Sequence, residues 1–177
     1  ALLALLVLIW DWNWLRPLVE RRASAAVGRE VSIGHFDVNL SMHPQLIFDH
    51  VSVANPQDFD RDAAMATADL INVRLDARSL FHRSIKLDEL LLQHPMVDLR
   101  RGSSGAGNWA FELPPAKPGE ESTTQIAALT INDGQASLID AQLKSAVKIA
   151  LHTAAASNGE PRLLASMTGT YNGQPIE

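Results

Sequence analysis

"VSIGHFDVNL", Val31–Leu40, decides the fold class. Val31 and Ile33 fall on one face of an extended chain, and Phe36, Val38 and Leu40 continue after a one-residue slip at Gly34-His35. Apolar residues at every second position mark a half-buried strand rather than a helix, and the slip reads as a bulge. The same period runs on downstream. "QLIFDHVSVAN" places Ile47, Val51 and Val53 on one face and stops at the turn signal Asn55-Pro56. "ADLINVRLDA" gathers Ile71, Val73 and Leu75, with Asn72 and Arg74 facing out.

Further along, "RSLFHR" reads as one helical turn, and "SIKLDELLLQ" and "PMVDLRR" as two strands around His94-Pro95. "GSSGAGNWAF" is a flexible loop pinned by Trp109 and Phe111. Residues 113–124, rich in proline and charge, form a linker. Strands resume with "IAALTINDG", "QASLIDAQ", "SAVKIALHTAA" and "RLLASMTGTYNG". Asn132-Asp133-Gly134 and Asn172-Gly173 are hairpin turn signals. "LDELLLQHPMVDLRR" and "IAALTINDGQASLIDA" echo one another as strand, tight turn, strand ending in aspartate, which suits a sheet built from reiterated units. The expectation is a mainly β fold, an elongated and mostly antiparallel sheet with one or two short helices.

Upstream the character differs. Residues 1–10, "ALLALLVLIW", contain no polar side chain, and ten helical residues rise about 15 Å, about half of a bilayer's hydrocarbon. A signal peptide would end in a small-residue cleavage site, and a core helix would show a polar face. The stretch therefore reads as the second half of a transmembrane helix. Trp10, Trp12 and Trp14, followed by Arg16, then mark its exit, since indole favours the membrane interface. "RPLVERRASAAVGRE" follows as an amphipathic helix, with Pro17 in its first turn, Leu18, Ala25 and Val27 along one side, and Gly28 as a left-handed C-cap. The organisation is then an anchor over 1–15, a helix over 16–28, a β domain over 29–112, the linker, and a continuing sheet over 125–177. With Ala1 inside an apolar run and Glu177 just past a turn, the sequence reads as part of a longer protein.

Composition narrows the function. The chain of 177 residues is 46% apolar and 20% charged, with a net charge of -5 and no cysteine. Mild acidity argues against nucleic acid as a partner. Without cysteine there is no disulfide, thiolate zinc site or cysteine nucleophile. Histidines 35, 43, 50, 82, 94 and 152 lack metal-ligand spacing. "DFDRD" with Asp69 at the twelfth place imitates a calcium loop, but Ala63 stands where glycine is needed. "GSSGAG" fits no phosphate cradle and no nucleophile elbow. No metal, no cofactor and no enzymatic activity are expected.

"DWNWLRPLVERRASAAVGREVSIGHFDVNLSMHPQLIFDHVSVANP", Asp11–Pro56, resembles the N-terminal signature of AsmA-like proteins of the Gram-negative envelope. The landmarks are the apolar start, "LRPLVE", "GREVSI", a hairpin and a strand ending "VSVANP". "IKLDELLLQHPMVDLRR" and the pair Asn108-Trp109 are similar to the family's continuation. The resemblance covers roughly residues 1–112, on a chain shorter than such proteins usually are. It implies a single-pass bacterial inner-membrane protein with its bulk in the periplasm. It also implies kinship with bridge-like lipid-transfer proteins, whose long curved sheet forms a trough with an apolar floor, and a link to outer-membrane assembly. Arg16, Arg21, Arg22 and Arg29 taken alone would favour the opposite orientation, so the periplasmic placement follows from the resemblance.

Two functions are then expected to compete. In the first, Ile33, Phe36, Val38, Ile47, Val51, Val53, Ile71, Val73 and Leu75 line a floor that holds phospholipid acyl chains moving between inner and outer membranes. In the second, the sheet closes on its own core, and the protein is a scaffold for an outer-membrane or other envelope partner. The difference is whether the apolar face is open.

Overall fold

A computed structural model describes residues 11–41, 43–60, 63–76, 86–102, 105–111, 125–155 and 161–176. A 3-10 turn, Trp12–Leu15, runs into helix α1, Arg16–Val27. Gly28 ends it in the left-handed conformation (φ 72°), its N–H donating to the Ser24 carbonyl, as the sequence leads one to expect. The packed side differs from the expected one. Leu15, Val19, Ala23 and Val27, spaced four apart, lie against the sheet, while Leu18 is 45% exposed.

Eleven strands follow in one sheet: β1 (Val31–Asn39), β2 (Gln45–Ala54), β3 (Ala64–Leu75), β4 (Lys86–Gln93), β5 (Met96–Arg101), β6 (Gln125–Ile126), β7 (Leu129–Asn132), β8 (Gly134–Asp140), β9 (Ser145–Ala155), β10 (Pro161–Tyr171) and β11 (Gln174–Ile176). Their order is β1-β2-β3-β5-β8-β9-β10-β11, with β4 beside β3, and β6 and β7 beside β4. The path ends at β1 and β11 without closing, so the sheet is an open curl rather than a barrel.

Most neighbours are antiparallel, but a parallel seam crosses the middle. β4 and β5 are two halves of one path, and β6, β7 and β8 form the next. Lys86 pairs with Gln125, Leu90 with Leu129, Met96 with Gln135 and Arg101 with Asp140, a constant offset of 39 residues. The two echoing sequences are therefore adjacent parallel strands in register. This corrects the reading of Asn132-Asp133-Gly134 as a hairpin. Asp133 does adopt a positive φ of 51°, but the chain bends there and goes on in the same direction. A Cβ on Gly134 would meet the Ile131 methyl at 2.7 Å and the Leu151 carbonyl at 3.2 Å, so close packing explains the glycine. Asn172-Gly173 is the hairpin the sequence signals, both residues having positive φ.

The bend is shared across the sheet. His50 (φ 51°), His94 (φ 44°) and Asp133 lie in the same transverse row. On the row, His94 Nδ1 is 2.9 Å from the Asp69 carboxylate and its Nε2 is 3.6 Å from that of Asp133. Each strand crossing the row has its alternation reset. Ile33 and Phe36, or Phe48 and Val51, three apart rather than two, therefore share a face.

Candidate functional site: a continuous apolar face

Residues paired directly across neighbouring strands point to the same side of a sheet, so the register gives the composition of each face. One row reads Phe36, Phe48, Ile71, Leu92, Ile131. A second reads Val38, Leu46, Val73, Leu90, Leu129. Beyond the bend, a third reads Val31, Val53, Ala66, Val97, Ala136, Ile149, Met167, crossing seven strands without a polar residue. Leu99, Leu138 and Val147 start a fourth, which ends at Gly169. There a Cβ would lie 2.1 Å from the Ala146 carbonyl, so the strands approach too closely for a side chain. The intervening positions are polar or charged far more often, as in Ser32, Asp37, Asp49, Arg74, Gln135 and Lys148.

The helix covers only the first two strands of this face, although farther along Ala68, Ile131 and Val147 are also buried. Val31, Ile33 and Phe36 are at most 7% exposed and form a core with Val38, Leu46, Phe48, Val51, Val53, Trp12 and the α1 stripe. The Phe36 and Phe48 rings lie 5.2 Å apart. From β3 onward no helix packs over the face among the described residues, and its side chains are mostly half-buried against one another. Leu129 is 40% and Met167 46% exposed. At the far end of β5 the loop 105–111 folds back. Arg101 stacks over Trp109 at 4.9 Å and faces Asp140 across the seam at 3.5 Å. Arg29 stacks over Phe111 at 4.3 Å, so both aromatic residues pin the loop as expected. Asn108, fully buried, staples it: its amide donates to Asn55 and to the Asp98 carbonyl, and its oxygen accepts from the Arg100 N–H.

The anticipated floor residues divide three ways. Ile33, Phe36, Val38, Val51 and Val53 lie beneath the helix end. Ile71, Val73 and Leu75 lie on β3, where the covered part gives way to the open part. Ile47 pairs with Asp37 and Asn72, the opposite alternation, because the bend at His50 shifts the phase between Ile47 and Val51. The open stretch also includes Leu90, Leu92, Val97, Leu99, Ala136, Leu138 and Ile149. The 39-residue echo, extended into a register, is the sequence signal that could have found them.

Trp12 and Leu15 pack on the sheet, which corrects the anchor's expected extent: the turn 12–15 belongs to the folded unit. Trp14 is 60% exposed, and Arg16 reaches the Ile33 and Gly34 carbonyls. Residues 1–10, including Trp10, lie outside the described residues, as do the linker and "RSLFHR". No helix among the described residues is long and apolar enough to cross a membrane. No group of side chains among them is arranged to hold a metal, and Asp69 sits in β3 against His94.

Concavities mark the apolar face only in part, where Val97, Ala136 and Ile149 border a cleft. The cleft, of about 620 Å³, is lined chiefly by the other alternation, including Thr67, Met96, Asp98, Ser137, Lys148 and Thr168. An open floor is a surface rather than an enclosure, so the register is the better guide to it. In that cleft partial burial pushes the Asp98 carboxyl up. Hydrogen bonds from Arg100 and Ser137 and the Arg100 charge outweigh it and hold the carboxyl below its ordinary value.

The model of the AsmA family matches residues 1–169. The chain belongs to the AsmA family. No curated protein and no solved structure matches it. For an AsmA-family chain the open apolar sheet is consistent with a lipid-transport-related role in the bacterial envelope.

Proposed function

We propose that this AsmA-family chain carries phospholipid acyl chains on the open part of its apolar face, between the helix-covered end at β1 and β2 and the far end at β10 and β11. The observation that carries this is the uninterrupted apolar register across seven strands, bare of covering helices from β3 on among the described residues. Exposed apolar surface of this extent marks binding. An alkyl chain gains about 0.8 kcal/mol for each methylene buried, by area alone, so the floor needs neither directional contacts nor a catalytic group. The chain is a carrier rather than an enzyme. Residues 1–10 would hold it at the inner membrane, with the sheet in the periplasm and the cargo passing between inner and outer membranes.

The test is native mass spectrometry of the full chain with extraction of bound lipid. Phospholipid should co-purify, and V73D and V97D should each lose it while keeping wild-type circular dichroism. A lipid-free, monodisperse wild type would discard the proposal. A second reading, a scaffold for an envelope partner, is favoured by β10, whose eleven residues are all exposed, Leu163, Leu164 and Tyr171 among them. It would be preferred if no lipid were found and β10 substitutions alone disturbed the envelope.

A further inference from the structure

Strand β1 is an edge strand, yet its outward amides are occupied. Four amides face away from β2: Val31 donates to Ser24 Oγ at 2.9 Å, Ile33 to Glu20 Oε1 at 2.8 Å, Phe36 to Asn13 Oδ1 at 3.0 Å, and Val38 to Asp37 Oδ1 at 2.8 Å. Arg16 donates to the carbonyls of Ile33 and Gly34 at 3.2 and 3.0 Å. Asn13, Arg16, Glu20 and Ser24 form one stripe, three and four residues apart, on the 3-10 turn and helix α1. It lies next to the apolar stripe that packs on the sheet. The lengths agree: from Asn13 to Ser24 the helical rise is about 17 Å, and from Val31 to Phe36 the strand rise is about 17 Å.

An edge strand with free N–H and C=O groups recruits another strand unless charge, proline or cover prevents it. β1 offers little of its own: no lysine, no proline, and only His35 and Asp37 as ionisable groups. We propose that the stripe Asn13–Arg16–Glu20–Ser24 acts as a built-in substitute strand, a strap that closes β1 against pairing with β1 of a second copy of this chain. The apolar stripe packs on the sheet, and the polar stripe beside it meets the strand's backbone edge. Because the strap holds the outward amides of Val31, Ile33 and Phe36, association through this edge requires that its side-chain acceptors first be displaced. This inference does not depend on the lipid reading, since it concerns backbone groups at the edge rather than the apolar face.

The chain has no cysteine, so single-cysteine reporters at Ser32, His35 or Asp37 read the edge without background. The full chain is compared with the variant N13A/E20A/S24A, alanine being compatible with the helix. With the strap removed, the amides of Val31, Ile33 and Phe36 should exchange at least tenfold faster. Disulfide-linked dimer through the β1 reporters should rise at least tenfold over the chain with an intact strap. A reporter at Ser166 in β10 should show no rise. Unchanged dimer yield with the three amides deprotected would overturn the proposal, as would an equal rise at Ser166. If circular dichroism shows the triple variant unfolded, E20A alone is read the same way. A deprotected Ile33 amide without added dimer would then overturn it.

Discussion

Phe36 and Leu92 lie in the same row of the sheet, on β1 and β4, yet truncating them should have very different costs. Phe36 is 4% exposed and is packed between its strand neighbours and the helix. Replacing it with alanine removes a ring and leaves a space that a two-layer contact cannot collapse, at about 3–5 kcal/mol. That is a large share of the roughly 5–15 kcal/mol by which a domain is stable. Leu92 is half-buried, pairs with Ile71 and Ile131, and lies outside the helix-packed core. L92A loses part of one side chain's transfer free energy, about 1 kcal/mol. Urea unfolding of both variants gives the comparison, with the slope checked for constancy so that the midpoint shift reports stability. A cost for L92A matching that of F36A would mean that the open part of the face is covered after all. A cost for F36A under about 1 kcal/mol would mean that α1 does not pack as described.

Two further consequences concern the polar parts. Removing the Asn108 side chain strands the Arg100 N–H and two acceptors in a buried site. N108A should therefore lose about 2–4 kcal/mol, seen as a fall in Tm of roughly 5–10 °C; a shift under 2 °C would contradict the staple. Asp98 has a folded-state pKa below its unfolded value. Its stabilisation is present above the unfolded value and is lost as pH falls through the folded one. D98N should thus be less stable than wild type by about 1 kcal/mol at pH 7, with the difference fading once the pH lies below the ordinary aspartate range. A pH-independent difference would show that the carboxylate charge is not what matters.

Much of this fold is legible locally, and the failures have a common physical source. Period-two alternation in Val31–Leu40 and in Ile71–Leu75 identifies strands, and Gly28 and Asn172-Gly173 identify their turns, because those signals are set by near neighbours. Asn132-Asp133-Gly134 carries the same local chemistry as a hairpin. Whether the chain reverses there is decided by its pairing with β4 and β5, 39 residues away, which no local window contains. Ile47 faces away from Val51 and Val53 for a related reason: one positive φ at His50 shifts the phase of the residues before it. The tryptophans show a third limit. Membrane interfaces and half-buried packing sites select the same amphipathic ring, so the sequence does not reveal that Trp12 also packs against the sheet core. The polar stripe is not legible in the sequence because Asn13, Arg16, Glu20 and Ser24 look like an ordinary solvated helix face until β1 is placed beside them.

The central claim is that lipid contacts one alternation of the sheet and not the other. Photo-crosslinking in cells tests it most directly, with a benzophenone amino acid placed singly at Leu92, Ala136 and Ile149, and at their neighbours Gln93, Gln135 and Lys148. The expected result is phospholipid adducts at the first three positions and none at the second three. Adducts at both sets alike, or only at Gln93, Gln135 and Lys148, would contradict the account.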